Sequence, residues 1–155
     1  MGARAILPKR ALAEPAKLAR ALQNTLDAQA KNMQIDFQVT TRTWSHGVEF
    51  PISAPDPYTR EIATSDPIYG MVNDGTRPHP IHASGRVLVF QGGFRSKTLP
   101  RSIASGSGGS GGPTVFTRSV NHPGTKARDF DVAIAQKWDR LIGPIFQRAI
   151  DAEFS

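Results

Sequence analysis

The feature that most restricts this chain is a pair of related stretches, residues 69–82 (YGMVNDGTRPHPIH) and 121–130 (NHPGTKARDF). Both contain Gly-Thr followed by a basic residue, and both contain His-Pro. Gly75 reaches positive φ at little cost, and Asn73 and Asp74 favour the turn positions before it. Pro78 and Pro80 hold the exit extended, because each proline also excludes its predecessor from the helical region. The first stretch is therefore expected to be an apolar strand, 68–72, that ends in a tight turn. The second is expected to be a turn that delivers the chain into a helix. Together they form a stiff junction between a small sheet and a C-terminal helix, and neither carries an obviously reactive group.

Charge is distributed unevenly around that junction. Between residues 75 and 128 there is no Asp or Glu, but there are eight cations: Arg77, Arg86, Arg95, Lys97, Arg101, Arg118, Lys126 and Arg128. The rest of the chain holds 11 basic and 13 acidic side chains, so this one segment carries +8 and the remainder −2, which together give the net charge of +6. Such a field attracts phosphates or an acidic partner, and it also suits a solvated face. There are no cysteines, which excludes disulfides, thiolate catalysis and Cys-ligated zinc and fits a reducing compartment. No apolar run approaches the ~20 residues of a bilayer span. The basic N-terminus has an apolar run that stops at Pro8, so it reads as a mature arm rather than a signal peptide. At 155 residues, the chain is long enough for one domain with a real core.

In chain order, residues 1–14 are expected to be a flexible arm and 15–155 a single α+β domain. Glu14-Pro15 opens a helix, since a first-turn proline loses no hydrogen bond there. Leu18, Leu22, Leu26, Ala30, Met33 and Phe37 form its apolar stripe to about residue 38. The β-branched Val39, Thr40 and Thr41 are expected to end it. Alternation predicts strands at 48–52 and 58–64, separated by a turn at 54–57. The most apolar strand candidate is 86–91, and 114–120 is its partner, giving one long β-hairpin over 86–120. Between them, 92–113 is rich in Gly and Ser and lacks carboxylates, so a mobile basic loop carrying Arg95, Lys97 and Arg101 is expected. Asp129 is the expected N-cap of the last helix, whose wide apolar face includes Phe130, Ile134, Trp138 and Ile150. Gly143-Pro144 is expected to kink it. The fold class is thus α+β: an antiparallel sheet of four to six strands with a long hairpin, packed against an N-terminal helix and a kinked C-terminal helix.

Chemical motifs are sparse. His79, His82 and His122 have no metal-ligand spacing, and the local cations oppose a metal, so no metal and no cofactor are expected. The Gly-Thr pairs lack the order of a phosphate-binding P-loop, and no nucleophile elbow is present. Phe94 on the basic loop could stack on a base, but no nucleic-acid-binding signature accompanies it, so any DNA contact there would be electrostatic and non-specific.

The two stretches, with the apolar RVLVF between them, resemble the tail-completion and head–tail joining proteins of long-tailed bacteriophages. That family commonly shows Tyr-x-x-Val-x-x-Gly-Thr followed by Pro-His-x-Ile. Tyr69, Val72, Gly75, Thr76, Pro78, His79 and Ile81 occupy the corresponding places here. His122, Pro123, Gly124, Thr125, Ala127 and Phe130 match a His-Pro-Gly-Thr-x-Ala-x-x-Phe stretch. The resemblance spans residues 58–154. It implies a virion structural protein rather than an enzyme, made in the host cytoplasm and placed at the neck, with no membrane partner. Its partners would be itself in a ring, often of six copies, the head connector or stopper, the tail tube, and non-specifically the genomic DNA. The basic loop would face DNA or the tube. The turns carrying Asp74, Gly75, Thr76, Arg77, His79, His122, Gly124, Thr125, Lys126 and Arg128 would supply part of a subunit interface. The alternative is a monomeric basic nucleic-acid-associated binding protein, and a hydrolase using His79 or His122 is a more remote third.

Overall fold

The computed structural model describes residues 6–104 and 106–155. It contains α1 (Lys9–Ala13), α2 (Pro15–Thr41), β1 (Ile52–Asp56), β2 (Thr59–Ile62), α3 (Pro67–Asp74), β3 (His79–His82), β4 (Leu88–Gln91), β5 (Thr114–Thr117), β6 (Ser119–His122) and α4 (Phe130–Phe154). Helix and antiparallel sheet are both present, with long helices towards the two ends. The expected single sheet of four to six strands is not formed. The strands make three separate two-stranded antiparallel sheets, β1–β2, β3–β6 and β4–β5. Alternation marks a strand, but it carries no information about how many neighbours the strand acquires.

The chain divides into two compact units. One comprises Met1–Gln38, Glu49–Thr64 and Ile134–Ser155, and the other Val39–Val48 and Ser65–Ala133. In the first unit, Ala11, Ile150 and Phe154 form a buried cluster with Leu18 and Leu22 against it. The arm expected over 1–14 thus contains a helix, α1, whose Ala11 is fully buried; residues 1–5 lie outside the described residues. The β1–β2 hairpin is tied to α2 by Arg60, whose Nε donates to Asp27 Oδ1 at 2.5 Å, and by Gln34 Nε2, which donates to the Phe50 carbonyl at 2.6 Å. Its turn falls at Pro57-Tyr58, later than expected. There the Asp56 carboxylate accepts the Tyr58 N–H at 2.7 Å, and the Thr59 hydroxyl and that N–H hold its pKa below the usual carboxylate range.

Asp36 links the two long helices of this unit. Its carboxylate accepts from Lys137 Nζ at 2.8 and 2.6 Å and from the indole Nε1 of Trp138 at 2.8 Å. Trp138 is buried, and Phe37 and Phe50 pack ring against ring at 5.4 Å. Helix α4 runs through Pro144 without splitting, although that residue has no N–H for the i−4 carbonyl.

Three local expectations are corrected in the second unit. Residues 68–72 are helical, not a strand. Asp66 caps α3 by accepting the Tyr69 N–H at 2.8 Å, and Pro67 occupies the first turn. Asp-Pro is a helix-start signal as well as a breaker, and here the cap wins. Helix α2 continues to Thr41 because Thr40 and Thr41 are buried, and tertiary burial overrides a weak β-branched bias. Asp129 stands at the N-cap position of α4, where its carbonyl accepts the Ala133 N–H at 3.0 Å, but its carboxylate pairs with Arg101. It sits at φ 49, and the N–H groups of Phe130 and Asp131 donate to Asn73 Oδ1 at 2.8 and 3.4 Å.

Tyr69 stacks near Phe130 (5.9 Å) and Trp44 (6.1 Å). Burial pushes its phenol pKa up to about 12, with the charges of Asp131 and Asp74 adding to the effect and a hydrogen bond with Thr40 opposing it.

Two outcomes are expected. Asp36→Ala leaves the indole N–H without its acceptor and should lower the denaturant unfolding free energy by about 1–3 kcal/mol. In a double-mutant cycle with Trp138→Phe the two losses should be non-additive; strict additivity would deny the bond a role. For Tyr69, the raised pKa means that the neutral phenol is the form the folded state favours. Its contribution is intact below pH 10, the ordinary value, and is lost as pH rises from 10 towards about 12. The stability difference between the parent and Tyr69→Phe should therefore be constant below pH 10 and shift across that window. A difference that stays flat throughout would refute the burial assignment.

Candidate functional site

The two Gly-Thr stretches are brought together directly. Thr76 and Thr125 face each other as an antiparallel bridge. The Thr76 N–H donates to the Thr125 carbonyl at 2.9 Å, and the Thr125 N–H donates to the Thr76 carbonyl at 3.1 Å and to its Oγ1 at 2.9 Å. The same register continues through β3 and β6, from His79 opposite His122 to His82 opposite Ser119. Sequence similarity between the stretches therefore reflects two strands that meet each other in one ladder.

Glycine is required at both ends of this clasp. Gly75 has φ 79, and a Cβ there would lie 2.6 Å from the Thr125 carbonyl oxygen. Gly124 has φ 86, and a Cβ there would press on the Thr76 carbonyl oxygen and lie 2.9 Å from the Arg77 carbonyl carbon. Each glycine thus admits the backbone of the opposite stretch. His79 and His122 stack at 5.1 Å. The His79 Nδ1 lies 2.9 Å from the Arg77 carbonyl, while the His122 Nδ1 accepts the Gly124 N–H at 3.1 Å. Both rings therefore help to shape the turns. Among the described residues, no group of three His, Asp or Glu side chains is placed to hold a metal.

Beyond the clasp the ribbon is interrupted and resumes. The Ala83 N–H still reaches the Arg118 carbonyl at 2.9 Å, and then residues 84–87 loop out before Leu88 pairs with Thr117. Of the hairpin expected over 86–120, residues 88–91 and 114–117 pair as β4–β5, whereas 119–122 form β6 and pair with β3. Within 92–113 the ladder extends to a bridge between Arg95 and Gly109, and the Gly106 N–H donates to the Lys97 carbonyl.

The cations expected to act together are divided. Arg77, Arg86, Arg95, Lys97, Arg118 and Lys126 are exposed. Arg101 is exposed but pairs with Asp129 at 3.4 Å. Arg128 is not an exposed cation: its relative accessibility is 8%. Its guanidinium donates from Nε to Thr98 Oγ1 at 3.1 Å, from Nη1 to the Lys126 carbonyl at 2.7 Å and from Nη2 to Ser96 Oγ at 2.7 Å. Its backbone N–H reaches the carbonyls of Val72 and Asn73, and its carbonyl accepts the Arg101 N–H at 2.6 Å. Arg128 therefore ties the base of the basic loop to the end of α3. Asp74 is exposed at the surface, where its carboxylate accepts from Asn73 Nδ2 at 2.8 Å.

Asn73, Ser96 and Thr98 are the residues that sequence reasoning missed. Asn73 read as a turn former, and nothing local shows that it caps a helix 57 positions away. Ser96 and Thr98 sit in a segment whose composition reads as loop.

Compared with family models, with curated proteins and with solved structures, the chain matches none. The arrangement therefore has to be interpreted from its own chemistry. It comprises a rigid backbone clasp, a buried guanidinium and an exposed basic ribbon, and it brings no nucleophile and base into a paired arrangement at the two turns.

Gly124→Ala should cost about 1–3 kcal/mol in unfolding free energy, because it combines a left-handed backbone with a clash against backbone atoms. Gly85→Ala, where an added Cβ meets nothing within 4 Å, should stay within about 0.5 kcal/mol. Equal effects at the two sites would contradict the clasp.

Proposed function

We propose that this protein is a bacteriophage virion structural component, a tail-completion or head–tail joining protein that assembles as a ring at the neck around the DNA channel. The observation that carries this reading is the apolar surface of the β4–β5 ribbon. Val89 and Phe116 are cross-strand partners that share one face, and they are 58% and 68% exposed. Phe90, on the other face, and Phe94, at the tip, are also exposed. A two-stranded ribbon is marginal in water by itself, and large exposed apolar side chains gathered on one element mark a surface for association. The resemblance of the Gly-Thr stretches to the neck proteins supplies the kind of assembly.

A closed ring uses heterologous contacts, in which one patch of a subunit meets a different patch of the next. The ribbon serves as one patch, inserted against the neighbouring copy. The exposed Arg95 and Lys97 that follow β4 then face DNA, the tail tube or the next subunit. No covalent chemistry is assigned to the protein in this role. No helix among the described residues is long and apolar enough to cross a membrane, and the role does not call for one.

Native mass measured over a range of concentrations tests this reading. The parent chain should form a closed oligomer. Val89→Asp with Phe116→Asp should give a folded monomer with the same helical circular dichroism. Arg95→Glu with Lys97→Glu, which leaves Ser96 and Thr98 on the Arg128 guanidinium, should give a folded chain that no longer joins heads to tails. A parent that stays monomeric at every concentration, and binds duplex DNA with an affinity that falls linearly in log–log salt plots, would instead select the monomeric nucleic-acid-binding module.

A further inference from the structure

Arg128 faces a cleft that the ring does not require. The cleft has a volume of about 360 Å³ and lies wholly within the unit built from Val39–Val48 and Ser65–Ala133. Its lining includes Arg128, Lys97, Trp44, Phe94 and Val72. Two independent features of this cleft call for a ligand.

The first is the guanidinium. Arg128 is buried, yet among the described residues no carboxylate pairs with it; the nearby Asp129 pairs with Arg101. Its bonds go to two hydroxyls and one carbonyl, all neutral. Of five guanidinium N–H groups these use three, leaving one on each terminal nitrogen, the fork that engages an oxyanion with two parallel bonds. A buried charge without a counter-charge is costly, and an anion in the cleft would supply one. The second is Lys97, an exposed lining residue with no carboxylate paired to it among the described residues.

The lining decides the kind of anion. Two cations and no carboxylate line the cleft, which suits a dianionic phosphate better than a single carboxylate. Trp44 and Phe94 offer flat apolar faces for a ring, and base–aromatic stacking contributes about 1–3 kcal/mol. The volume lies at the lower end of the ~300–1,000 Å³ range of small-molecule sites, which leaves room for more than inorganic phosphate. We propose that this cleft binds a nucleoside 5′-phosphate, with the phosphate on Arg128 and Lys97 and the base against Trp44 and Phe94. The ligand is either a free nucleotide or the phosphorylated end of a strand. The proposal does not depend on ring formation.

Calorimetric titration of the full chain tests it, using AMP, adenosine, inorganic phosphate, and a short oligonucleotide with and without a 5′-phosphate. AMP should bind saturably with a dissociation constant of about 1 mM or tighter, and adenosine and inorganic phosphate each at least about tenfold more weakly. Lys97→Ala and Phe94→Ala are the informative variants, because Arg128 also holds the loop and its replacement can unfold the region. Both side chains are exposed, so both replacements should leave the thermal midpoint unchanged, and both should weaken AMP at least about tenfold. A Lys97 without a ligand role would leave AMP affinity untouched. Binding of the 5′-phosphorylated oligonucleotide but not its 5′-hydroxyl form identifies a strand end, and binding of AMP alone identifies a free nucleotide. Failure of both AMP and the phosphorylated oligonucleotide to saturate, or affinities indifferent to Lys97→Ala and Phe94→Ala, would overturn the proposal.

Discussion

The pairing of Gly75-Thr76 with Gly124-Thr125 is the constraint on which the rest of this unit depends. Three hydrogen bonds close it, and two glycines at positive φ allow the backbones to approach. Once it is closed, the register of β3 against β6 is set. The clasp also places the residues after Thr125 beside the end of α3. There the Arg128 N–H reaches the carbonyls of Val72 and Asn73, and Asn73 Oδ1 meets the first N–H groups of α4. The start of the C-terminal helix is thus capped by a side chain delivered through the clasp. A helix N-terminus leaves orphan donors, and here they are satisfied from a distant point in the chain.

Arg128 shows why charge counted along a sequence differs from charge on a surface. The acid-free segment holds eight cations, but one is buried on neutral oxygens and another is paired with Asp129. The remaining six are exposed. The electrostatic attraction expected of the segment therefore comes from fewer side chains than its composition suggests, and the buried one acts as a structural tie. Burying an uncompensated guanidinium is expensive. It is held by three well-placed acceptors, two of them hydroxyls of the basic loop, so loop and clasp stabilise each other.

The ribbon illustrates a different limit. RVLVF is the most apolar strand candidate in the chain, a pattern that ordinarily signals burial on at least one face. In the fold it has a single partner strand, and Val89, Phe90 and Phe116 remain open to solvent. Hydrophobic alternation records that a surface is to be covered, without recording whether the cover comes from the same chain. The expectation of a four- to six-stranded sheet arose from assuming that it does.

By itself the sequence determined the long amphipathic helices, the β4–β5 hairpin, Pro15 at a first-turn position, and the need for Gly75. All of these follow from local periodicity or from the steric limits of one residue. The helix at 68–72 is settled locally, by the Asp66 cap and Pro67, against the strand that its apolar residues suggest. Tertiary structure alone decided that α2 continues through Thr40 and Thr41, that the Asn73 side chain caps α4, and that Arg128 is buried with Ser96 and Thr98. Each of these outcomes depends on a partner many positions away. Short-range propensities differ by less than about 1 kcal/mol per residue, so a single buried hydrogen bond or packed side chain is enough to reverse them.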